Sequence, residues 1–250
     1  MVLAVAALIV FAILAPASPA RAVPDTTCRV GEDIPLDRRS LPRTAAALKA
    51  GRPLTIVAIG SSSTQGYGAS DPTRSYPAQL AARLKLRFPH SSIHVHNRGV
   101  GGDDINTMLA RFPRDVAAAK PDLVIWQTGT NDAINHVPVD RFETLLGRGI
   151  RDLRHRGIDV LLMTPQYAPQ FTGASGSLLY VEAMRRTGQQ LGVPVFDRYD
   201  LSRAWSGDRR FADSPPLTAD GLHQADSGYH CVAVILADRL AALVESDKAR

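Results

Sequence analysis

From residue 54 onward the chain alternates short apolar runs with longer amphipathic stretches. The runs, at 54–59, 93–97, 123–128, 159–164 and 194–197, read as strands. The stretches between them, 76–88, 104–119, 139–156 and 178–191, read as helices, with a last one from 227 to about 244. Leu80, Leu84 and Phe88 recur every four residues, which places them on one helical face. Val232, Ile235, Leu236, Leu240 and Leu243 do the same near the end of the chain. Such alternation predicts an α/β fold with right-handed crossovers and helices on both faces of a parallel sheet. Five strands suit a three-layer α/β/α sandwich with a five-stranded parallel sheet in flavodoxin-like order 2-1-3-4-5. Ligands in these sheets sit beyond the carboxyl ends of the strands, near the switch point. The loops at 60–62, 99–103 and 129–132 follow strands one, two and three, so they are expected on one rim.

The N-terminal region bears on where the protein works. Residues 1–15 are almost wholly apolar and are followed by Pro16 and Pro19. That run falls short of the ~20 residues needed to cross a bilayer, and Ala20-Arg21-Ala22 fits a small-x-small cleavage site. The expectation is a signal peptide over 1–22, an arm with one short helix over 23–51, and a single main domain over 52–250. It implies an exported protein, periplasmic or secreted, with no stable membrane span after processing. No Lys or Arg precedes the apolar run, so an uncleaved anchor stays open as the alternative. Cys28 and Cys231 are the two cysteines of the chain; in an exported protein they are expected as a disulfide, with two free thiols as the alternative. The 29 Lys and Arg against 24 Asp and Glu are scattered as doublets such as Arg185-Arg186, which argues against a nucleic-acid partner.

Four segments carry residues suited to catalysis. Gly60-Ser61-Ser62-Ser63-Thr64 breaks directly from the first strand; such a turn can hold a hydroxyl clear of the sheet, ringed by backbone N–H groups. A plain Ser-rich loop is the competing reading. Asn97-Arg98-Gly99-Val100-Gly101-Gly102-Asp103 has three glycines in four positions, which allow close backbone approach to a ligand. Their spacing matches no phosphate-binding fingerprint. Trp126-Gln127-Thr128-Gly129-Thr130-Asn131-Asp132 ends a strand with an Asn that either caps a helix or aims its amide at an oxyanion. Asp220-Gly221-Leu222-His223 places a carboxylate three residues from an imidazole, a spacing that lets the Asp fix the ring's tautomer.

Taken in order, these four blocks resemble the SGNH (GDSL-type) hydrolase superfamily over roughly residues 54–245. The first block departs from the pattern, since Ser61 stands where the family's usual Asp precedes the nucleophile. That leaves Ser61, Ser62 and Ser63 in contention, with the G-x-S position favouring Ser62. The resemblance implies a serine esterase with Ser62 as nucleophile, His223 as base and Asp220 as its orienter. It also implies an oxyanion hole from the Ser62 and Gly102 backbone N–H groups and the Asn131 side chain. No metal or other cofactor is implied; His94 and His96 alternate on one strand without an evident third ligand. Export and the lack of a long apolar lid point to a short acyl group, such as O-acetyl, on a polar alcohol such as a glycan. A lysophospholipase- or thioesterase-type lipid acyl hydrolase, an O-acyltransferase and a non-catalytic glycan-binding module are the alternatives. Gln166 and Tyr167 are candidate substrate-lining residues, unless Pro165 and Pro169 merely shape that loop.

Overall fold

The computed structural model describes residues 24–29 and 41–245; the leader expected over 1–22 lies outside the described residues. In chain order the elements are α1 (Asp25–Cys28), α2 (Pro42–Lys49), β1 (Leu54–Gly60), α3 (Ser62–Gln65), α4 (Tyr76–Arg87), β2 (Ile93–Gly99), α5 (Ile105–Asp115) and β3 (Leu123–Gln127). There follow α6 (Thr130–Ile134), α7 (Val139–His155), β4 (Asp159–Met163), α8 (Pro169–Thr172), α9 (Ser177–Leu191), β5 (Val195–Phe196), α10 (Arg198–Trp205) and α11 (Asp226–Glu245).

All five strands pair in parallel, in the order β2-β1-β3-β4-β5 expected from the sequence. Successive side chains of a strand point to opposite faces, and both faces here are covered. Ile56 and Ala58 enter one core with Leu123, Ile125 and Leu161 of β3 and β4, beneath Leu80 and Leu84 of α4 and Val232 and Leu236 of α11. Val57 and Ile59 enter a second core with Val124 and Trp126, against Met108 of α5, Phe142 and Ile150 of α7 and Met184 of α9. Burial on both faces is why β3 and β4 read as largely apolar runs.

Most boundaries fall within one residue of the sequence expectation, and three elements depart from it in ways that have a physical cause. β2 runs on to Gly99 instead of ending at 97; Asn97 and Arg98 carry no apolar signal because they lie exposed on the edge strand. His94 and His96 are exposed on that strand, and His94 Nε2 lies 3.0 Å from the Ser92 hydroxyl. β5 keeps only Val195 and Phe196, because Asp197 turns away to cap α10 by accepting from the Asp200 N–H at 3.2 Å. The helix expected over 104–119 stops at Asp115 and tightens into a short 3₁₀ turn at Ala117–Ala119.

The described part of the N-terminal arm holds two short helices, α1 and α2, where one was expected. Both pack into the first core through Cys28, Leu41, Ala47 and Leu48. Cys28 and Cys231 are joined in a disulfide across 203 positions, with their Cα atoms 4.8 Å apart. Trp205 Nε1 donates to the Cys28 carbonyl at 3.0 Å, which fixes α10 against the same junction. Among the described residues no helix is long and apolar enough to cross a membrane.

Candidate active site

The turn that carries Ser62 is built by two glycines at register-paired strand ends. Gly60 pairs with Gly99 where β1 and β2 finish side by side. A Cβ on Gly60 would lie 2.2 Å from Thr64 Oγ1, and one on Gly99 would lie 2.0 Å from the Gln65 nitrogen. Only hydrogen at both positions lets α3 fold back onto the strand tips. Ser61 precedes α3 in an extended conformation, and Ser62 opens the helix. The buried Gln127 side chain secures this turn: its Oε1 accepts from the Ser61 N–H at 2.9 Å, the Ser61 hydroxyl at 3.2 Å and the Thr64 hydroxyl at 3.1 Å. Ser63 is also buried and donates to Gln166 Oε1 at 3.3 Å. The three candidate serines are thereby separated, because the Ser61 and Ser63 hydroxyls are engaged inward.

Ser62 faces the imidazole. Its Oγ lies 2.8 Å from His223 Nε2, and His223 Nδ1 lies 2.6 Å from Asp220 Oδ2. The second Asp220 oxygen accepts from the Thr218 hydroxyl at 2.6 Å and from the Leu222 and His223 N–H groups at 2.9 and 3.0 Å. Burial pushes this carboxyl up, but the Thr218 hydroxyl and the donors from His223 and Leu222 outweigh it and hold it well below the usual carboxylate range. An ionised Asp220 assigns the proton to Nδ1 and leaves Nε2 to accept from the Ser62 hydroxyl. The loop closes through the Thr218 N–H, which donates to the His223 carbonyl at 2.9 Å, and Gly221 supplies the positive φ of +68°.

The remaining predicted residues, Gly102 and Asn131, belong to the glycine turn after β2 and to α6. A Cβ on Gly101 would come 3.9 Å from the Ser62 Cβ, so the glycine turn borders Ser62. Gly102 adopts φ +81°, and Asn131 Nδ2 donates to the Asp103 carbonyl at 2.9 Å. The Ser62 N–H belongs to the first turn of a helix, where intrahelical acceptors are missing.

Several supporting residues escaped the sequence reading. Arg111, from α5, donates to the Gly60 carbonyl at 2.9 Å, the Arg98 carbonyl at 2.7 Å and the Asp103 carboxylate at 2.6 Å. One guanidinium thus braces the ends of β1 and β2 and the glycine turn. Asp132 is fully buried and accepts from the Ile105 and Gly129 N–H groups at 2.9 and 3.0 Å, tying two of the loops together. Burial pushes its carboxyl up, against the pull of those two donors. Tyr67 lays its ring 4.4 Å from that of His223 and is 60% exposed. Its signal in the sequence is an aromatic flanked by Gly66 and Gly68, both at positive φ here.

Gln166 does not line an open surface. It is fully buried, accepting from Ser63 and donating to the Leu222 carbonyl at 2.6 Å, so it straps the serine turn to the histidine loop. Tyr167 is half-buried with its ring 5.6 Å from that of Tyr199. Gln170 adds a second strap by donating to the Asp220 carbonyl at 2.6 Å. Among the described residues no cluster of three or more His, Cys, Asp or Glu side chains is arranged to hold a metal ion.

Known proteins resemble the chain in sequence and in fold. It is 30% identical over 130 residues to an acetylxylan esterase from Geobacillus stearothermophilus, covering 48% of this chain and 56% of that protein. It is 26% identical over 189 residues to an arylesterase from Vibrio mimicus, covering 74% and 87% of the two chains. A solved two-domain esterase active on acetylated mannans superposes with a TM-score of 0.68 at 23% identity, covering 84% of this chain and 54% of that one. The chain therefore spans little more than half the length of two of these relatives. The model of the non-GDSL lipase-like family matches residues 27–246. With Ser61 in place of the usual Asp and the four blocks on one rim, the chain belongs to the non-GDSL lipase-like family, within the SGNH-type hydrolases.

Proposed function

We propose that the protein is an exported serine esterase that removes short acyl groups, O-acetyl above all, from a glycan. The observation that carries this reading is the hydrogen-bonded series Asp220–His223–Ser62, at 2.6 and 2.8 Å, on the carboxyl rim of the sheet. Ser62 Oγ attacks the ester carbonyl carbon while His223 Nε2 takes its proton. Asp220 steadies the resulting imidazolium. The tetrahedral oxyanion accepts hydrogen bonds from the Ser62 and Gly102 N–H groups and from Asn131. An amide nitrogen carries two hydrogens, so Asn131 keeps one for the oxyanion while the other holds the Asp103 carbonyl. His223 then protonates the leaving alcohol, and water repeats the sequence on the acyl-enzyme.

Two features support a sugar alcohol and export. Tyr67 exposes an aromatic ring beside His223, a surface suited to the apolar face of a sugar. The Cys28–Cys231 disulfide suits an oxidising compartment. The acetylxylan and acetylated-mannan esterases among the relatives point the same way. The test is hydrolysis of p-nitrophenyl esters from acetyl to palmitoyl, beside acetylated xylan and mannan. Ser62→Ala is expected to lose activity and fluorophosphonate labelling with an unchanged circular dichroism spectrum. A preference for long acyl chains would redirect the assignment to lipid esters, and acetyl transfer to an added sugar acceptor would redirect it to acyl transfer.

A further inference from the structure

Where α3, α4, α10 and α11 meet, the protein buries a cation that the catalytic relay does not use. Arg198 is fully buried at the start of α10. Its Nε donates to the Thr164 carbonyl at 3.0 Å, but Nη1 and Nη2 have no partner among the described residues. No carboxylate among those residues pairs with it. Its electrostatic neighbours are the phenols of Tyr76 and Tyr229, which burial pushes up, Tyr76 to about 12, so both stay neutral. Burial pulls Arg198 down to about 10, which still leaves it charged at neutral pH.

The polar groups of this region are rich in donors. Tyr76 Oη lies 3.4 Å from Thr64 Oγ1, which in turn reaches Gln127. Gln127 Nε2 is buried without a partner, as are both amide atoms of Gln224, just ahead of α11. The two terminal Arg198 nitrogens offer four N–H groups and the Gln127 and Gln224 amide nitrogens two each, while Gln224 Oε1 is the one orphaned acceptor among these side chains. A water molecule there must place two hydrogens of its own; an anion places none and also balances the charge. An unpaired buried charge is expensive, whereas a paired and hydrogen-bonded one is tolerated.

We infer that Arg198 forms the floor of a buried site for a small monovalent anion of the chloride type, with Nη1 and Nη2 as its principal donors. The site is independent of the esterase assignment. Its test uses the whole protein crystallised in bromide, with data collected at the bromine edge. An anomalous peak within hydrogen-bond reach of the Arg198 Nη atoms is expected; water density alone, or none, overturns the inference. Melts in sodium chloride and sodium gluconate at equal ionic strength give a second reading. At tenfold excess over Kd, chloride is expected to raise Tm by about 3–6 °C. Arg198→Met is expected to lose both the peak and the chloride effect. If that variant does not fold, the wild-type map and melts decide alone, and equal melting in the two salts counts against the site.

Discussion

Cutting the Cys28–Cys231 bridge tests how the N-terminal arm is held. The double replacement Cys28→Ala with Cys231→Ala is compared with wild type under oxidising conditions. Both cysteines are fully buried, so each alanine also costs some packing. The larger effect lies in the unfolded chain. The bridge spans 203 positions, and in the chain-entropy model a loop of that size removes roughly 18 cal/mol/K from the unfolded ensemble, or about 5 kcal/mol at 25 °C. For a chain of this length that corresponds to a fall in Tm of ~10–20 °C. Urea unfolding followed by circular dichroism measures it, and the variant should also show a larger m-value, because its unfolded chain exposes more surface. Matching midpoints and slopes for the two proteins would overturn this account, since the bridge would then constrain nothing that the folded packing does not already fix.

Other substitutions address the site. Asp220→Asn keeps an acceptor for Thr218, Leu222 and His223 but faces Nδ1 with a donor, so kcat should fall by ~10³–10⁴ with little change in Tm. Retention of more than a tenth of wild-type kcat would remove Asp220 from the relay. Gly60→Ala forces a methyl into Thr64 and Gln127, and should cost about 1–3 kcal/mol in urea melts along with most of the activity. The Arg114 guanidinium outweighs burial and, with Arg111, holds Asp115 down at about 2. Because its folded pKa lies below the unfolded one, its stabilisation is full above about pH 4 and is lost as pH falls toward 2. Acid titration of Asp115→Asn should therefore show a shallower loss of stability across that window than wild type.

The strand order and the chemistry-bearing loops were legible because the first three buried strands are short apolar runs closed by glycine or a small polar residue. Ser62, Asp220 and His223, which lie in series within hydrogen-bond distance, stood out because the serine follows a strand-ending glycine and the carboxylate lies three residues from the imidazole. What stayed hidden is held together across long sequence separations. Arg111 reaches Gly60 over 51 positions and Gln166 reaches Leu222 over 56, contacts that no periodicity announces. The helix α10 was missed because its capping Asp197 read as the polar end of a strand and the short stretch after it showed no sustained helical apolar face. The role of Gln166 was misjudged for a related reason: a glutamine in a proline-flanked loop gives no sign of whether it faces solvent or the interior.

The bracing by Arg111, Asp132 and Gln166 also has a bearing on how this protein changes over generations. The loops that carry Ser62 and His223 are locked into a frame, whereas Tyr67 and Val100 are exposed. Under the proposed function, new preferences for alcohol or acyl group can therefore arise by surface replacement while the frame beneath keeps its shape.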